Sequence, residues 1–216
     1  MEPYPKIQTV FKRDLRQRRR PLIVGEWATP EIAYLVDAQW QWTEKVDGTN
    51  ARIMIRDDKV QFGGRSEQAE LPPALVVHLY EHFTARIGTV KGLFDGTPVC
   101  LYGEGYGGCI QNRGVPYSPD QRFILFDVLV GDSWLRRESV EAVAADLELD
   151  VVPVVGQGTL HEAIALAKFG FYSHVSSVER KAEGIVCRPM VELRSRTGKR
   201  IITKVKARDF DKEADE

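Results

Sequence analysis

Cysteine is scarce: three in 216 residues, Cys100, Cys109 and Cys187, with no C-x-x-C pair among them. An odd, scattered set argues against a disulfide framework and fits a reducing, cytoplasmic compartment, with the thiols buried or inert. Long apolar runs are missing too. Nothing approaches the roughly 18 residues that a membrane-spanning helix needs. The opening "MEPYPKIQTVFKRD" lacks the apolar core of a secretory signal. There is no internal repeat and no low-complexity linker.

What is present is ordinary for a globular chain: 43% hydrophobic and 28% charged residues, enough to build a substantial core in one large domain. The net charge is −1, but residues 1–20 carry seven Lys/Arg against Glu2 and Asp14, leaving 23 basic and 29 acidic residues in the remainder. Residues 1–20 therefore read as a basic N-terminal arm. Two readings of "KRDLRQRRR" stay open, a solvated arm and a patch that contacts the phosphates of a polyanion.

Residues 41–45, 51–56 and 60–62 read as strands, with "RDDK" (Arg56 to Lys59) as the turn between the last two. "PPALVVHLYEHFTARIG" reads as a helix opened by Pro72-Pro73, with Val76, Leu79, Tyr80, Phe83 and Ile87 on one face. "PVCLYGEGYGG" is a strand running into a glycine-rich turn, and "RFILFDVLV" an apolar, central strand. Helices follow at 138–147 and 160–169, the second with Leu160, Ile164, Ala167 and Phe171 at helical spacing. "AEGIVCRP" and "RIITKVKARDF" are the last strands, and the acidic "DKEADE" is a frayed tail. The mixture, with its hairpin signals, predicts an α+β fold of antiparallel sheets.

Two motif matches carry little. "HLYEH" fits the H-x-x-E-H spacing of one zinc peptidase class, but His78 and His82 flank the apolar face and no distinctive third ligand is evident, so they read as surface histidines. "GEGYGG" lacks both the P-loop ending and a Rossmann context, which leaves a turn.

"WQWTEKVDGTNARIMI" is more informative. Two strand-like runs are interrupted by Lys45-Val46-Asp47-Gly48-Thr49-Asn50, which sets a lysine in a short polar loop. A lysine amine has a reference pKa of about 10.4 and attacks only after losing its proton. Neighbouring cations, desolvation or a metal-bound substrate lower that cost. Lys204 and Lys206 lie two apart in a strand and so share a face, where they repel unless an anion lies between them. Taken alone, the pair reads better as lysines guarding an edge strand.

"KVDGTN", "FGGRSE", "LYGEGYGG", "FILFDVLV", "AEGIVCRP" and "IITKVKA" occur in this order between Lys45 and Lys206. Together they resemble the motif series of the covalent nucleotidyltransferase superfamily, the polynucleotide ligases and messenger-RNA capping enzymes. Asn50 stands five residues after Lys45, where DNA ligases usually carry arginine; this looks like ATP-dependent RNA ligases of the nick-sealing and RNA-editing branch.

The resemblance implies an antiparallel nucleotidyltransferase domain with flanking helices around an AMP pocket. It implies ATP and Mg²⁺ or Mn²⁺ as cofactors, and RNA ends or a nicked duplex (RNA or an RNA–DNA hybrid) as partner. Lys45 would attack the ATP α-phosphate, pass AMP to an RNA 5′-phosphate, and a 3′-hydroxyl would then displace AMP. Glu183 would bind the metal, with Asp47 orienting the loop and metal-bound water, and Gly48 would allow a turn that a side chain would obstruct. Asn50 and Arg65 would contact the ribose or the terminal phosphate, Glu104 a ribose hydroxyl, and Phe126 the adenine, with Asp127 fixing the segment. Glu44 would join the nucleotide-binding set, and Lys204 and Lys206 would stabilise the α-phosphate. These identities suit phosphoryl transfer, which needs positive charge, a metal and an aligned nucleophile.

Bland readings stay open beside these: core packing for Phe126, a strand cap for Asp127, a turn residue for Arg65, a structural role for Asp47. Only ten residues follow Lys206, so residues 1–216 read as a single nucleotidyltransferase domain without an appended OB-fold or helical C-terminal domain. A capping-type or other nucleotidyltransferase that seals no strand, or an end-binding module with weak catalysis, are the competing functions.

Overall fold

The structure, a computed structural model, describes residues 3–56, 59–66, 68–111 and 117–210. The tail "DKEADE" and the middle of the Arg56–Lys59 turn lie outside the described residues. In chain order come β1 (Gln8–Thr9), β2 (Phe11–Arg13), β3 (Leu22–Trp27), α1 (Pro30–Tyr34), β4 (Trp40–Lys45), β5 (Thr49–Arg56) and β6 (Lys59–Gly63). Then follow α2 (Pro73–Ala85), α3 (Ile87–Phe94), β7 (Val99–Tyr106), β8 (Arg122–Val130), β9 (Ser133–Trp134) and α4 (Arg137–Asp146). The last elements are β10 (Asp150–Val151), β11 (Val154–Gly158), α5 (Leu160–Phe169), β12 (Gly184–Pro189), β13 (Thr203–Lys206) and a 3₁₀ turn at Ala207–Asp209.

Two compact units emerge. One is built on Asp47–Val152 and Val175–Val178 and takes in Tyr4; the other is built on Lys6–Val46, Pro153–His174 and the chain from Glu179. Each has its own sheet and its own core.

The second unit carries a sheet in the order β1-β13-β12-β4-β11, with β2 and β3 as a separate hairpin. β4 alternates strictly: Trp40, Trp42 and Glu44 are buried, while Gln41, Thr43 and Lys45 take the opposite face. Helix α5 covers the buried face with Leu160, Ala163 and Ala167, which join Trp40, Trp42, Ile185, Cys187 and Val205 in one core. Its start is fixed by a capping box: Thr159 Oγ1 accepts from the Glu162 amide at 3.3 Å, and Glu162 accepts from the Thr159 amide at 2.8 Å. The Trp42 ring lies over β11, where a Cβ on Gly156 would come within 2.8 Å of it.

The first unit carries the order β10-β8-β7-β5-β6, with β9 also on β8. β8 is therefore an interior strand, as its apolar run predicts. Among the described residues, pairing is antiparallel except for two short parallel contacts, β1 with β13 and β10 with β8. Ala51, Ile53, Leu101, Leu125 and Val128 face a core shared with α2 and α4.

Helix α2 differs from its predicted stripe. Leu75, Leu79 and Phe83 are the buried positions, and Tyr80 is 61% exposed. The helix also ends at Ala85, Arg86 leaves helical geometry, and Ile87 opens α3. The reason lies in β7. A Cβ on Gly105 would sit 2.2 Å from Leu75 Cδ2, so the missing side chain there leaves the room that Leu75 fills.

Candidate active site

The register of the β13-β12-β4 strands builds the lysine cluster. Gly184 pairs with Lys45 on one side and with Lys206 on the other, so the two lysines flank a glycine in one transverse row. Val186 pairs likewise with Thr43 and Lys204 in the row two residues along, so Lys204 shares the face of Lys206. Gly184 is obligatory. Its φ is +153°, and a Cβ would lie 2.1 Å from the Val205 carbonyl oxygen.

Glu183, just before that glycine, supplies the anion. Lys45 Nζ donates to Glu183 Oε2 at 2.6 Å, and Lys206 Nζ lies 2.6 Å from Oε1. The sequence predicts an anion between Lys204 and Lys206; the one observed, Glu183, lies between Lys206 and Lys45. Its side chain is 9% exposed, against 20% for Lys45 and 15% for Lys206. Burial is the largest influence on Glu183 and raises its pKa. The charges and hydrogen bonds of Lys45 and Lys206 together outweigh burial and hold the carboxyl below its ordinary 4.5.

Glu44 lies on the other face of β4. It is buried and accepts from the His174 amide at 2.8 Å and from the Ser173 hydroxyl. The bond ties the Ser173-His174 segment to the residue preceding Lys45.

In the other unit, Asn50 pairs with Glu104 on β7, and Glu104 with Ile124 on β8. Asn50 and Glu104 therefore sit side by side on the face turned away from the Ala51–Ile53–Leu101 core. The next row holds Arg52, Tyr102 and Asp127. Between these rows the register shifts: Tyr102 pairs with Asp127, but Gly103 pairs with Leu125. Phe126 is the extra residue of a β-bulge. In a regular strand, adjacent residues point to opposite faces. Here Asp127 accepts from the Tyr4 hydroxyl at 2.8 Å, and the Phe126 ring meets the same Tyr4 ring edge-on at 5.0 Å.

The Asn50 side-chain oxygen is buried and has no hydrogen-bond partner among the described residues. Arg65 is exposed; the glycine before it, Gly64, is held by Arg52 Nε, which donates to its carbonyl at 2.6 Å. The Asp47 amide donates to the Tyr117 hydroxyl at 3.3 Å. Gly48 is needed for a close approach: a Cβ would lie 2.2 Å from the Gly105 carbonyl oxygen. Tyr4, Arg52, Tyr117 and Ser173 had no local sequence signal, because each acts through a residue distant in the chain.

His78 is exposed, and His82 Nε2 sits 2.8 Å from the Leu147 carbonyl, its pKa lowered mainly by burial. Among the described residues, no three of His, Cys, Asp and Glu converge as a preformed cation cage.

The architecture is an α+β nucleotidyltransferase fold. It is similar to solved structures of Naegleria gruberi RNA ligase. A variant with ATP and Mn superposes with a TM-score of 0.64 at 20% identity, covering 98% of this chain and 60% of that one. A variant with AMP and Mn gives 0.62 at 22%, over 84% and 53%. The same ligase with PPi gives 0.60 at 21%, over 96% and 62%. This chain therefore spans between about half and three-fifths of those proteins' length. The RNA ligase family model matches residues 38–206, which run from just before β4 to the last lysine of β13. The chain belongs to the RNA ligase family.

Proposed function

We propose that the chain is an ATP-dependent RNA ligase domain that joins a 5′-phosphate end to a 3′-hydroxyl end through lysyl-AMP and RNA-adenylate. The observation that carries the reading is the row of Lys45 and Lys206 on the two oxygens of Glu183. Each ammonium is held by a charge-assisted bond, so an incoming triphosphate competes with Glu183 for both. Lys206, with Lys204 on the same face, then neutralises the α-phosphate. Lys45, once deprotonated, attacks its phosphorus, and pyrophosphate leaves. AMP next passes to the RNA 5′-phosphate, and the 3′-hydroxyl displaces it. Positioning and charge supply most of the catalysis in such a transfer.

The donors fit the nucleotide and a hard cation. The unpartnered Asn50 oxygen suits a ribose hydroxyl, with Glu104 beside it, and the bulged Phe126 suits a purine face. Arg65 serves a phosphate, and Glu44 holds its segment behind the nucleophile. Glu183 and Asp47 are carboxylates of the kind Mg²⁺ or Mn²⁺ binds alongside substrate phosphates, where the ion supplies charge neutralisation at the transferring group. We assign nicked RNA or an RNA–DNA hybrid as the acceptor, in a cytoplasmic setting; no described helix is long and apolar enough to cross a membrane. The test is incubation with each α-labelled nucleoside triphosphate and Mg²⁺ or Mn²⁺. Label from ATP that survives denaturation on the protein is expected. Label from GTP alone indicates a capping-type transferase, and no label from any nucleotide removes the reading.

A further inference from the structure

The basic segment before β3 is more than a charged tail. Val10 and Phe11 are buried in the core of their unit, and β2 and β3 form a hairpin. The hairpin connection is built by its own polar groups. The Asp14 amide donates to the Pro21 carbonyl at 2.9 Å, and the Asp14 carboxylate accepts from the Arg16 amide and from the Gln17 side chain, each at 2.9 Å. Arg13 closes the base, donating to the Arg20 carbonyl at 2.9 Å and to Asp209 at 2.6 Å. Asp209 lies in the turn that directly follows Lys206. Lys12 is paired with Glu26.

Asp14, Gln17 and Arg13 take part in side-chain bonds within this loop, and Arg16, Arg18, Arg19 and Arg20 are all exposed. We propose that this loop is a phosphate clamp for the RNA strand: four guanidinium groups presented on a fixed hairpin, anchored through Arg13 and Asp209 to the end of the sheet that carries Lys206 and Lys45. The proposal rests on the RNA ligase reading above. A polyanion is the partner that the charge selects, because four clustered arginines in a chain whose remainder is net acidic attract a phosphate backbone through counterion release. Arginine also suits phosphate oxygens geometrically.

A second basic connection supplies an internal control. Arg194, Arg196 and Lys199 are exposed in the segment that joins β12 to β13. It leaves the sheet at the Pro189 and Thr203 end, opposite to Gly184 and Lys206. Unspecific attraction makes no distinction between the two loops; a clamp anchored through Asp209 at the Lys206 end of β13 does.

The experiment compares wild type with R16Q/R18Q/R19Q/R20Q and with R194Q/R196Q/K199Q, measuring affinity for a 5′-phosphorylated nicked RNA duplex across a salt series. For the hairpin variant, the slope of log K against log salt is expected to fall in magnitude by about 3 to 4, at roughly 0.7 to 0.9 for each of four phosphates no longer neutralised. The control variant is expected to keep the wild-type slope. Lysyl-AMP formation should be unchanged in the hairpin variant, while the KM for the RNA rises and single-turnover sealing at saturating RNA is retained. An unchanged slope, or an equal fall in both variants, overturns the clamp. Because the binding measurement needs no catalysis, it decides the clamp even if no nucleotide labels the protein, an outcome that defeats only the ligase reading.

Discussion

Lys45 and Glu183 share one ion pair, yet their removal should have opposite consequences. Truncating Lys45 leaves Glu183 still bonded to Lys206, so Lys45→Ala should change stability by no more than about 1 kcal/mol. Covalent labelling should vanish; undiminished labelling would remove Lys45 from the reaction. Removing Glu183 instead leaves two ammonium groups facing each other with no counter-charge. Glu183→Gln should cost about 1–3 kcal/mol near neutral pH, less than a fully buried pair because the lysines are partly exposed. The cost has a pH signature. The folded-state pKa of Glu183 lies below its ordinary 4.5, so its stabilisation is complete above that value and is lost as pH falls through the lower folded-state value. Denaturant titrations of both proteins should therefore differ at pH 7 and converge in the acid range below 4.5; a pH-independent gap would place the effect elsewhere. The lysines were legible in the sequence because strand periodicity alone puts Lys204 and Lys206 on one face. The pairing of Lys45 and Lys206 with one carboxylate was not, because it depends on the register of β12 between β4 and β13.

At the scale of elements, most strands were legible and their irregularities were not. α5 keeps its expected bounds because a capping box fixes its start, but its buried positions are Leu160, Ala163 and Ala167, while Ile164 is only partly buried and Phe171 lies beyond the helix. α2 was misread because Leu75 and Val76 both fit a helical stripe, and only Gly105 on another strand decides between them. The β2–β3 hairpin was hidden by its own charge, which masks the buried Val10 and Phe11. The bulge in β8 is the most consequential irregularity. It predicts separable effects on either side of one ring contact. Tyr4→Phe keeps the ring but removes the hydrogen bond to the fully buried Asp127, so it should destabilise by about 1–3 kcal/mol. Phe126→Ala removes a half-buried ring and should raise the KM for ATP, by an amount corresponding to roughly 1–3 kcal/mol of base stacking. Lysyl-AMP formation measured against ATP concentration separates them: an unaltered KM in Phe126→Ala assigns that ring to packing alone.

For the molecule as a whole, the residues expected to act in one reaction divide between its two units. Glu44, Lys45, Glu183, Lys204 and Lys206 belong to one; Asp47, Asn50, Arg65, Glu104 and Phe126 belong to the other. Family membership covers both, since the matched residues 38–206 span the division. The choice of acceptor is the property that the whole chain must express, and Asn50 motivates it, because it stands where DNA ligases usually carry arginine. A pre-adenylated enzyme should seal a nick with ribose on the 3′-hydroxyl side faster than an all-deoxyribose nick. The 2′-hydroxyl donates and accepts hydrogen bonds and favours A-form geometry at the junction. The 3′-oxygen then lies closer to in-line with the adenylated phosphate, and alignment is a large part of phosphoryl-transfer catalysis. A preference on the order of tenfold, a barrier difference of about 1.4 kcal/mol, is expected. Single-turnover sealing of two nicks that differ only in the sugars beside the 3′-hydroxyl measures it. Equal rates, or faster sealing of the deoxyribose nick, would overturn the RNA preference while leaving the lysyl-AMP step intact. Failure on both nicks after normal adenylation would move the assignment to transfer without strand joining.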